Sequence, residues 1–119
     1  NRIIKAKQDI YKLYRKYLAN HVNFLTINPS FTYIPFRVVV FVEDAEKTIM
    51  LMERDQIEGR SVFFPLNQQP CFKTFKSSKI GSYKNSLKFF KTGICLPTWI
   101  GLKENQIKYI SQSLIKNMK

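Results

Sequence analysis

The chain has 119 residues, of which 45% are hydrophobic and 14% aromatic, so the composition excludes a disordered tail and fits one globular domain. Twenty lysines and arginines against eight acids give a formal net charge of +12, but no run approaches the roughly 20 apolar residues of a membrane span. One histidine and two cysteines without ligand spacing exclude a His/Cys zinc site, so we expect no bound metal. Since a membrane-spanning run is also missing from the sequence, we expect no membrane partner.

The first twenty residues are predicted to form an amphipathic helix. Apolar side chains recur there every three or four residues, at Ile3, Ala6, Ile10, Leu13, Tyr14, Tyr17 and Leu18. Asn20 and His21 supply the helix end, so we expect a capping or surface role for His21 and no catalytic role. The chain opens on Asn1 without a start methionine or signal core, and we expect further polypeptide before it.

Residues 36–42 form a β-branched and aromatic run that is typical of a central strand covered on both faces. Asp44 is a good N-cap for a helix that reaches about Asp55. The predicted buried side of this helix consists of Ala45, Ile49 and Met52. Residues 61–64 are a second short apolar strand, ended by Pro65.

Residues 65–82 lack periodicity and are predicted to be a long loop. A third helix is expected over residues 83–91, with Leu87 and Phe90 in the core and Gly93 as a left-handed C-cap. A short strand at 94–96 and a last helix from about Lys103 follow. The apolar stripe of that helix is Ile107, Ile110, Leu114, Ile115 and Met118. These elements predict an α+β two-layer domain, a small mixed sheet covered by helices.

Residues 56–72 place Arg60 at the start of a strand and a row of amides on a proline-bracketed turn. Such a group could hold a carboxylate, a phosphate or sugar hydroxyls, with the arginine as bidentate partner. On composition alone, a surface arginine and a polar turn are the preferred interpretation. The amides are Asn67, Gln68 and Gln69.

The same stretch resembles the carboxy-terminal domain of the DegT/DnrJ/EryC1/StrS family of pyridoxal-phosphate-dependent sugar-nucleotide aminotransferases. The family pattern is a Gly-Ile-type turn, an arginine, aromatic-Pro-Leu-His-x-Gln-Pro and an aromatic residue. The matching residues are Ile57-Glu58-Gly59-Arg60 and Phe63-Phe64-Pro65-Leu66-Asn67-Gln68-Gln69-Pro70-Cys71-Phe72. Residues 92–97 resemble the family's Gly-x-x-Leu-Pro segment, and the Phe-Phe-Pro phrase is most like the GDP-perosamine synthase type.

The resemblance implies that residues 1–119 are the small domain of a fold type I enzyme. Residues 1–22 would be the helix that joins the two domains and residues 23–119 an α/β body. By the same resemblance, the catalytic large domain, with its Schiff-base lysine, would lie upstream of Asn1. None of the lysines here matches that lysine. The chain alone would then bind no cofactor and be inactive, with no catalytic residue of its own.

For the full-length enzyme, the resemblance implies pyridoxal phosphate as cofactor and a homodimer. The amino group would pass, usually from glutamate, to a nucleotide-linked keto sugar for cell-surface or lipopolysaccharide sugar synthesis. Arg60 and Asn67 would contact the substrate. Asn67 stands where the family usually has histidine, and an amide can hydrogen-bond a sugar but cannot exchange protons near neutral pH. The use of only two cysteines fits a reducing cytoplasm, so a cytoplasmic location is expected.

An alternative from the residues themselves is a basic module that binds nucleic acid or another anion. We prefer a solvated cationic face, because lysine blocks without a known binding fold carry little specificity, and we do not expect a nucleic-acid partner. A third possibility is that the chain is a free-standing remnant of the enzyme's small domain and acts as an interaction module. The basic surface would consist of Lys73, Lys76, Lys79, Lys84, Lys88 and Lys91, with Phe72, Phe75 or Tyr83 for stacking.

Overall fold

The computed structural model describes residues 1–72 and 83–119, in which helices pack on one face of a small sheet. The helices and strands, in chain order, are α1 (Arg2–Leu18), β1 (Asn23–Phe24), β2 (Val38–Phe41), α2 (Ala45–Arg54), β3 (Arg60–Ser61), α3 (Lys84–Thr92), β4 (Gly93–Leu96) and α4 (Glu104–Asn117). Two 3₁₀ turns, Leu66–Gln68 and Pro70–Phe72, follow β3. The rest of the predicted loop lies outside the described residues, and so do Lys73, Phe75, Lys76 and Lys79. None of the described helices combines the length and apolar character needed to cross a membrane.

The strands lie in the order β1-β2-β4-β3, and each neighbouring pair is antiparallel. The predicted α+β class, with helices on a small sheet, is confirmed. The expectation of a mixed sheet is wrong because β4 lies between β2 and β3. The two strands run in the same direction, because both are antiparallel to β4, but they pair with β4 and not with each other.

One face of the sheet carries the hydrophobic core. Val38 and Val40 of β2 point toward the helices together with Ile94 and Leu96 of β4, and all four side chains are buried. Three helices contribute the other side of this core. Their buried apolar residues are Ile10, Tyr14, Leu18, Ala45, Met52, Ile107, Ile110 and Leu114.

The two strands predicted after the first helix are shorter than the apolar runs, residues 36–42 and 61–64, from which they were predicted. β2 covers only Val38–Phe41, and its residues alternate between buried and half-buried, so the expectation of cover on both faces is wrong. Phe36 is 75% exposed and Phe63 is 83% exposed. β3 has only two residues because the chain turns away at Pro65 into the 3₁₀ turns.

The predicted third helix is confirmed, but two of its details are wrong. Leu87 is exposed and lies outside the core, while Phe90 is half-buried against Phe64. Gly93 is extended, with φ −89°, and begins β4 instead of forming a left-handed cap. The close approach of the chain explains the glycine, because a Cβ there would lie 2.6 Å from the carbonyl oxygen of Phe89.

Asp44 caps α2 as predicted, since its Oδ1 accepts a hydrogen bond from the backbone N–H of Lys47 at 3.0 Å. At the other end, Asp55 joins α2 to α4. Its Oδ2 accepts from the Ser113 hydroxyl at 2.7 Å and from the Asn117 amide at 3.0 Å. These two hydrogen bonds, with a smaller contribution from the Lys116 ammonium, lower the pKa of Asp55 below its ordinary value of 3.8.

The lowered pKa predicts acid sensitivity. A carboxyl group whose pKa is depressed in the folded state stabilises the protein above its unfolded pKa, and that stabilisation is lost as the pH falls through the folded value. We expect Asp55→Asn to unfold more easily at pH 7 and to lose less stability than the wild type between pH 5 and pH 3. Urea unfolding at several pH values measures the difference, and equal pH slopes for both proteins would contradict the role of Asp55.

The first helix is fixed to the body by its tyrosines. The hydroxyl of buried Tyr14 donates to the carbonyl oxygen of Pro97 at 2.9 Å, just after β4. At the surface, the Tyr17 hydroxyl and the Lys16 ammonium both donate to Glu104, at the start of α4. The helix therefore shares the core of the body instead of projecting from it.

Candidate functional site

The face of the sheet turned away from the core holds the candidate site. In a strand, side chains alternate between the two faces. Val39 is opposite Cys95, and Cys95 is opposite Arg60, so these three residues share the outer face. By the same alternation Arg37, two residues before Val39, belongs to this face, and its Nη1 lies 3.8 Å from the Cys95 sulfur.

Arg60 occupies this face as an exposed residue with a charge partner. Its guanidinium forms an ion pair with Glu58, two residues earlier, through both its Nε and an Nη atom. The side chains of Arg60 and Glu58 are 65% and 70% exposed. Arg60 is therefore accessible to a ligand, but a negatively charged ligand must compete with Glu58 for it.

Asn67 lies on the first 3₁₀ turn, seven residues beyond Arg60, and is half-buried. In the described part of the chain its side-chain amide makes no hydrogen bond with another residue, Arg60 included. The amide is therefore free to donate and accept. The structure places both residues predicted for substrate binding on one segment but does not bring them into one cluster.

Arg37 is a candidate that sequence reasoning missed. It is half-buried, with its Cζ 5.5 Å from the ring centroid of Phe36 and 5.6 Å from that of Phe63. Both distances are within the range of a cation–π interaction. The guanidinium therefore contacts two aromatic rings and the Cys95 thiol.

A signal for Arg37 exists in the printed sequence. Within residues 36–42, Arg37, Val39 and Phe41 alternate with Val38 and Val40. One of the two faces of the strand therefore carries a charged residue, Arg37. An uninterrupted apolar run suggests burial on both sides and hides this alternation. The partner Phe63 comes from the chain just after β3, which no local pattern connects to Arg37.

The backbone beside Arg37 is fixed by side chains from elsewhere in the fold. The Tyr33 hydroxyl donates to the carbonyl oxygen of Arg37 at 3.3 Å, and the Thr98 hydroxyl donates to that of Phe36 at 3.0 Å. Thr98 in turn accepts from the ammonium of Lys7 through both its hydroxyl and its carbonyl oxygen. The segment from 36 to 37 is thus held between α1 and the chain after β4.

Lys7 is the one lysine in residues 1–72 and 83–119 that is not exposed. A pyridoxal-phosphate site needs a lysine amine that is free to form an imine with the cofactor. The ammonium of Lys7 is engaged by both oxygens of Thr98, so Lys7 does not fit that role.

A separate cavity of about 1080 Å³ lies at the other end of the sheet, and its lining includes His21, Glu43 and Lys88. Neither Arg60 nor Asn67 lines it. His21 is exposed at the end of α1, where its backbone N–H donates to the carbonyl oxygen of Leu18 at 2.9 Å. The helix-end position predicted for this histidine is confirmed.

Residues 1–115 match the DegT/DnrJ/EryC1/StrS aminotransferase family. A GDP-perosamine synthase from Vibrio cholerae is 29% identical over 123 residues, which cover 98% of this chain and 33% of that protein. The chain therefore spans about a third of the length of this curated relative.

Solved structures share the fold at low identity. A DegT DnrJ EryC1 StrS aminotransferase from Brucella abortus has a TM-score of 0.84 at 16% identity, covering 97% of this chain and 31% of that one. Helicobacter pylori PseC, an aminotransferase involved in the biosynthesis of pseudoaminic acid, has a TM-score of 0.80 at 12% identity, covering 97% and 32%. At these identities the likeness concerns the fold alone.

Proposed function

Because this chain belongs to the DegT/DnrJ/EryC1/StrS aminotransferase family, we propose that it is the carboxy-terminal domain of an enzyme that transfers an amino group to a nucleotide-linked keto sugar. The amino donor is proposed to be glutamate, and the product a sugar for cell-surface or lipopolysaccharide synthesis. The observation that carries this proposal is the family match over 115 of the 119 residues. The match runs from the start of α1 into α4 and includes the segment from Arg60 to Asn67.

In this proposal the chain acts by positioning and not by chemistry. The cofactor, pyridoxal phosphate, stabilises the carbanion formed during amino transfer, and the protein around it orients the substrates and excludes water. We assign the cofactor lysine and most of the active site to polypeptide outside these 119 residues. The whole enzyme is proposed to be a cytoplasmic homodimer, while this chain by itself is proposed to bind no cofactor and to be inactive.

The direct test begins with the native gene product. The mass of the intact protein and the reading frame upstream of Asn1 establish whether a larger polypeptide carries this chain. That polypeptide should take up pyridoxal phosphate and convert a nucleotide-linked keto sugar to the amino sugar with glutamate as donor. A native protein of only 119 residues, or a longer one without transamination of any keto sugar nucleotide, would contradict the proposal.

Arg60→Ala in the active polypeptide is expected to lower kcat/KM by about tenfold, because it removes a charged hydrogen-bond donor from the substrate-facing segment. Asn67→Ala should have a smaller effect, because a neutral amide contributes less. Arg54→Ala is the matched control, since Arg54 is an exposed arginine in the last turn of α2 and lies outside the segment from Arg60 to Asn67. Steady-state kinetics on the three variants, with circular dichroism for folding, give the result; unchanged kinetics in Arg60→Ala would remove it from the site.

The basic module remains the second candidate on one observation. Lys84, Lys88 and Lys91 follow each other at four- and three-residue spacing on α3, and in the described part of the chain they have no acidic partner. Steep salt dependence of nucleic-acid binding would favour this module, because phosphate contacts release counterions. Weak nucleic-acid binding at physiological salt would rule out this module and leave the aminotransferase domain as the one candidate function.

A further inference from the structure

Arg37 carries a charge that nothing in the described part of the chain neutralises. The ion pairs there involve other residues, and Glu58, the carboxylate beside Arg60, is paired with Arg60. Arg37 is nevertheless half-buried. A partly desolvated charge without a counter-ion is costly, and proteins place such charges where a ligand supplies the opposite charge.

Three neighbours also favour one orientation of the guanidinium before any ligand arrives. Of its five N–H donors, one is directed to the Cys95 sulfur at 3.8 Å. The Cys95 thiol in turn donates to the carbonyl oxygen of Ser61 at 3.8 Å, so the sulfur presents a lone pair to Arg37. The rings of Phe36 and Phe63, both exposed, lie within cation–π distance of the guanidinium. The remaining donors form the flat fork that matches two oxygens of a phosphate or a carboxylate.

The comparison with Arg60 decides between the two arginines of this face. A ligand at Arg60 has to displace an intramolecular carboxylate, whereas a ligand at Arg37 does not. Arg60 is also the more exposed of the two, and exposed charge pairs with mobile side chains contribute little. The orientation of its guanidinium and its unpaired charge both favour Arg37 over Arg60 as the residue that binds an anionic ligand.

We propose that Arg37 is the anion-binding residue of the outer face and that it takes an oxyanion of a ligand, either a phosphate or a carboxylate group. Phe36 and Phe63 position the guanidinium, and Cys95 holds its inner edge. If the function proposed above is correct, on which this assignment rests, the oxyanion belongs to the diphosphate of the nucleotide-linked sugar or to the carboxylate of the amino donor.

The test is a binding measurement on the 119-residue chain with inorganic pyrophosphate and, separately, glutamate as probes. Nuclear magnetic resonance of the arginine Nε–H groups reports each guanidinium individually, and about 150 mM salt suppresses diffuse attraction to the lysines. We expect one of the probes to shift the Arg37 signal saturably. Arg37→Gln should weaken that binding by about tenfold or more, since a charged bidentate contact is lost.

Two further variants define the geometry. Arg37→Lys keeps the charge but not the fork, so its affinity should fall between those of the wild type and Arg37→Gln. Arg54→Gln loses an exposed guanidinium of α2 with the same change in net charge, and its affinity should stay within about twofold of the wild type. Thermal unfolding confirms that each variant is folded.

The two probes also identify the source of the oxyanion. A response to pyrophosphate assigns Arg37 to the diphosphate, and a response to glutamate assigns it to the amino donor. No shift of the Arg37 signal with either probe, or equal affinity of Arg37→Gln and wild type, overturns the site. The site would also be overturned if Arg60→Gln lost binding of the probe while Arg37→Gln kept it.

Transamination by the longer polypeptide tests the proposed function separately. An active enzyme in which Arg37→Gln leaves both KM values unchanged would overturn the anion site and keep the function. Saturable binding at Arg37 in a protein that performs no transamination would keep the site and overturn the function.

Discussion

Tyr14→Ala is expected to lower the free energy of unfolding by about 3–5 kcal/mol, the cost of removing a large buried aromatic side chain. The side chain is fully buried between α1 and the body. The loss is large because the free energy of unfolding of a whole domain is only about 5–15 kcal/mol. Burial also raises the pKa of Tyr14, so its phenol stays protonated and can donate to Pro97. Urea unfolding followed by circular dichroism measures the loss.

The phenylalanine variant separates packing from hydrogen bonding at the same position. Tyr14→Phe keeps the ring and removes only the hydroxyl, which should cost about 1 kcal/mol because the carbonyl oxygen of Pro97 loses its partner. Tyr109→Phe is the matched control, since the Tyr109 hydroxyl also donates to a carbonyl oxygen, that of Asp55, but its side chain is exposed. A larger loss in Tyr109→Phe than in Tyr14→Phe would contradict this account of how α1 is held.

Gly93→Ala is expected to destabilise the domain by about 1–3 kcal/mol, the usual range for an overpacked site. The new Cβ would lie 2.6 Å from the carbonyl oxygen of Phe89 and 2.8 Å from a methyl group of Val62. The carbonyl belongs to the last turn of α3 and cannot move without shifting the helix away from β4. A thermal denaturation curve for the purified variant shows the effect.

The matched control is the corresponding change at Gly59. A Cβ there would meet Ile49 and Ile94 at 3.5 and 3.6 Å, which are ordinary contact distances. Gly59 also lacks a positive φ, so alanine fits its backbone. Gly59→Ala should therefore be neutral or gain up to about 1 kcal/mol from the restricted unfolded chain. If both variants lose the same stability, the close approach at Gly93 is not the cause.

The helices could be predicted from the sequence because their signals are local. The four-residue spacing of Ile10, Tyr14 and Leu18 reflects a single buried stripe, and Asp44 marks the start of α2 directly. Even so, Ile3 is 61% exposed, because the first turn of α1 extends beyond the body. A periodic pattern identifies a helix but not how much of it is covered.

The sheet and the site depend on contacts that are distant in sequence and were predicted less well. Gly93 looks like a helix cap locally, but the position of Val62 requires a glycine in a strand. Arg60 and Asn67 could be named through the family resemblance, and their contact with substrate stays a prediction. Arg37 acquires its setting only when Phe63 and Cys95 are brought beside it.

The central position of β4 has a consequence for synthesis of the protein. β2 and β3 share no hydrogen bonds, and both depend on residues 93–96 as their common partner. During translation the earlier strands therefore leave the ribosome with unpaired edges and wait until more than thirty residues beyond β3 have been made. Exposed strand edges recruit other chains. A chain terminated before Gly93 would therefore aggregate instead of forming a smaller folded domain.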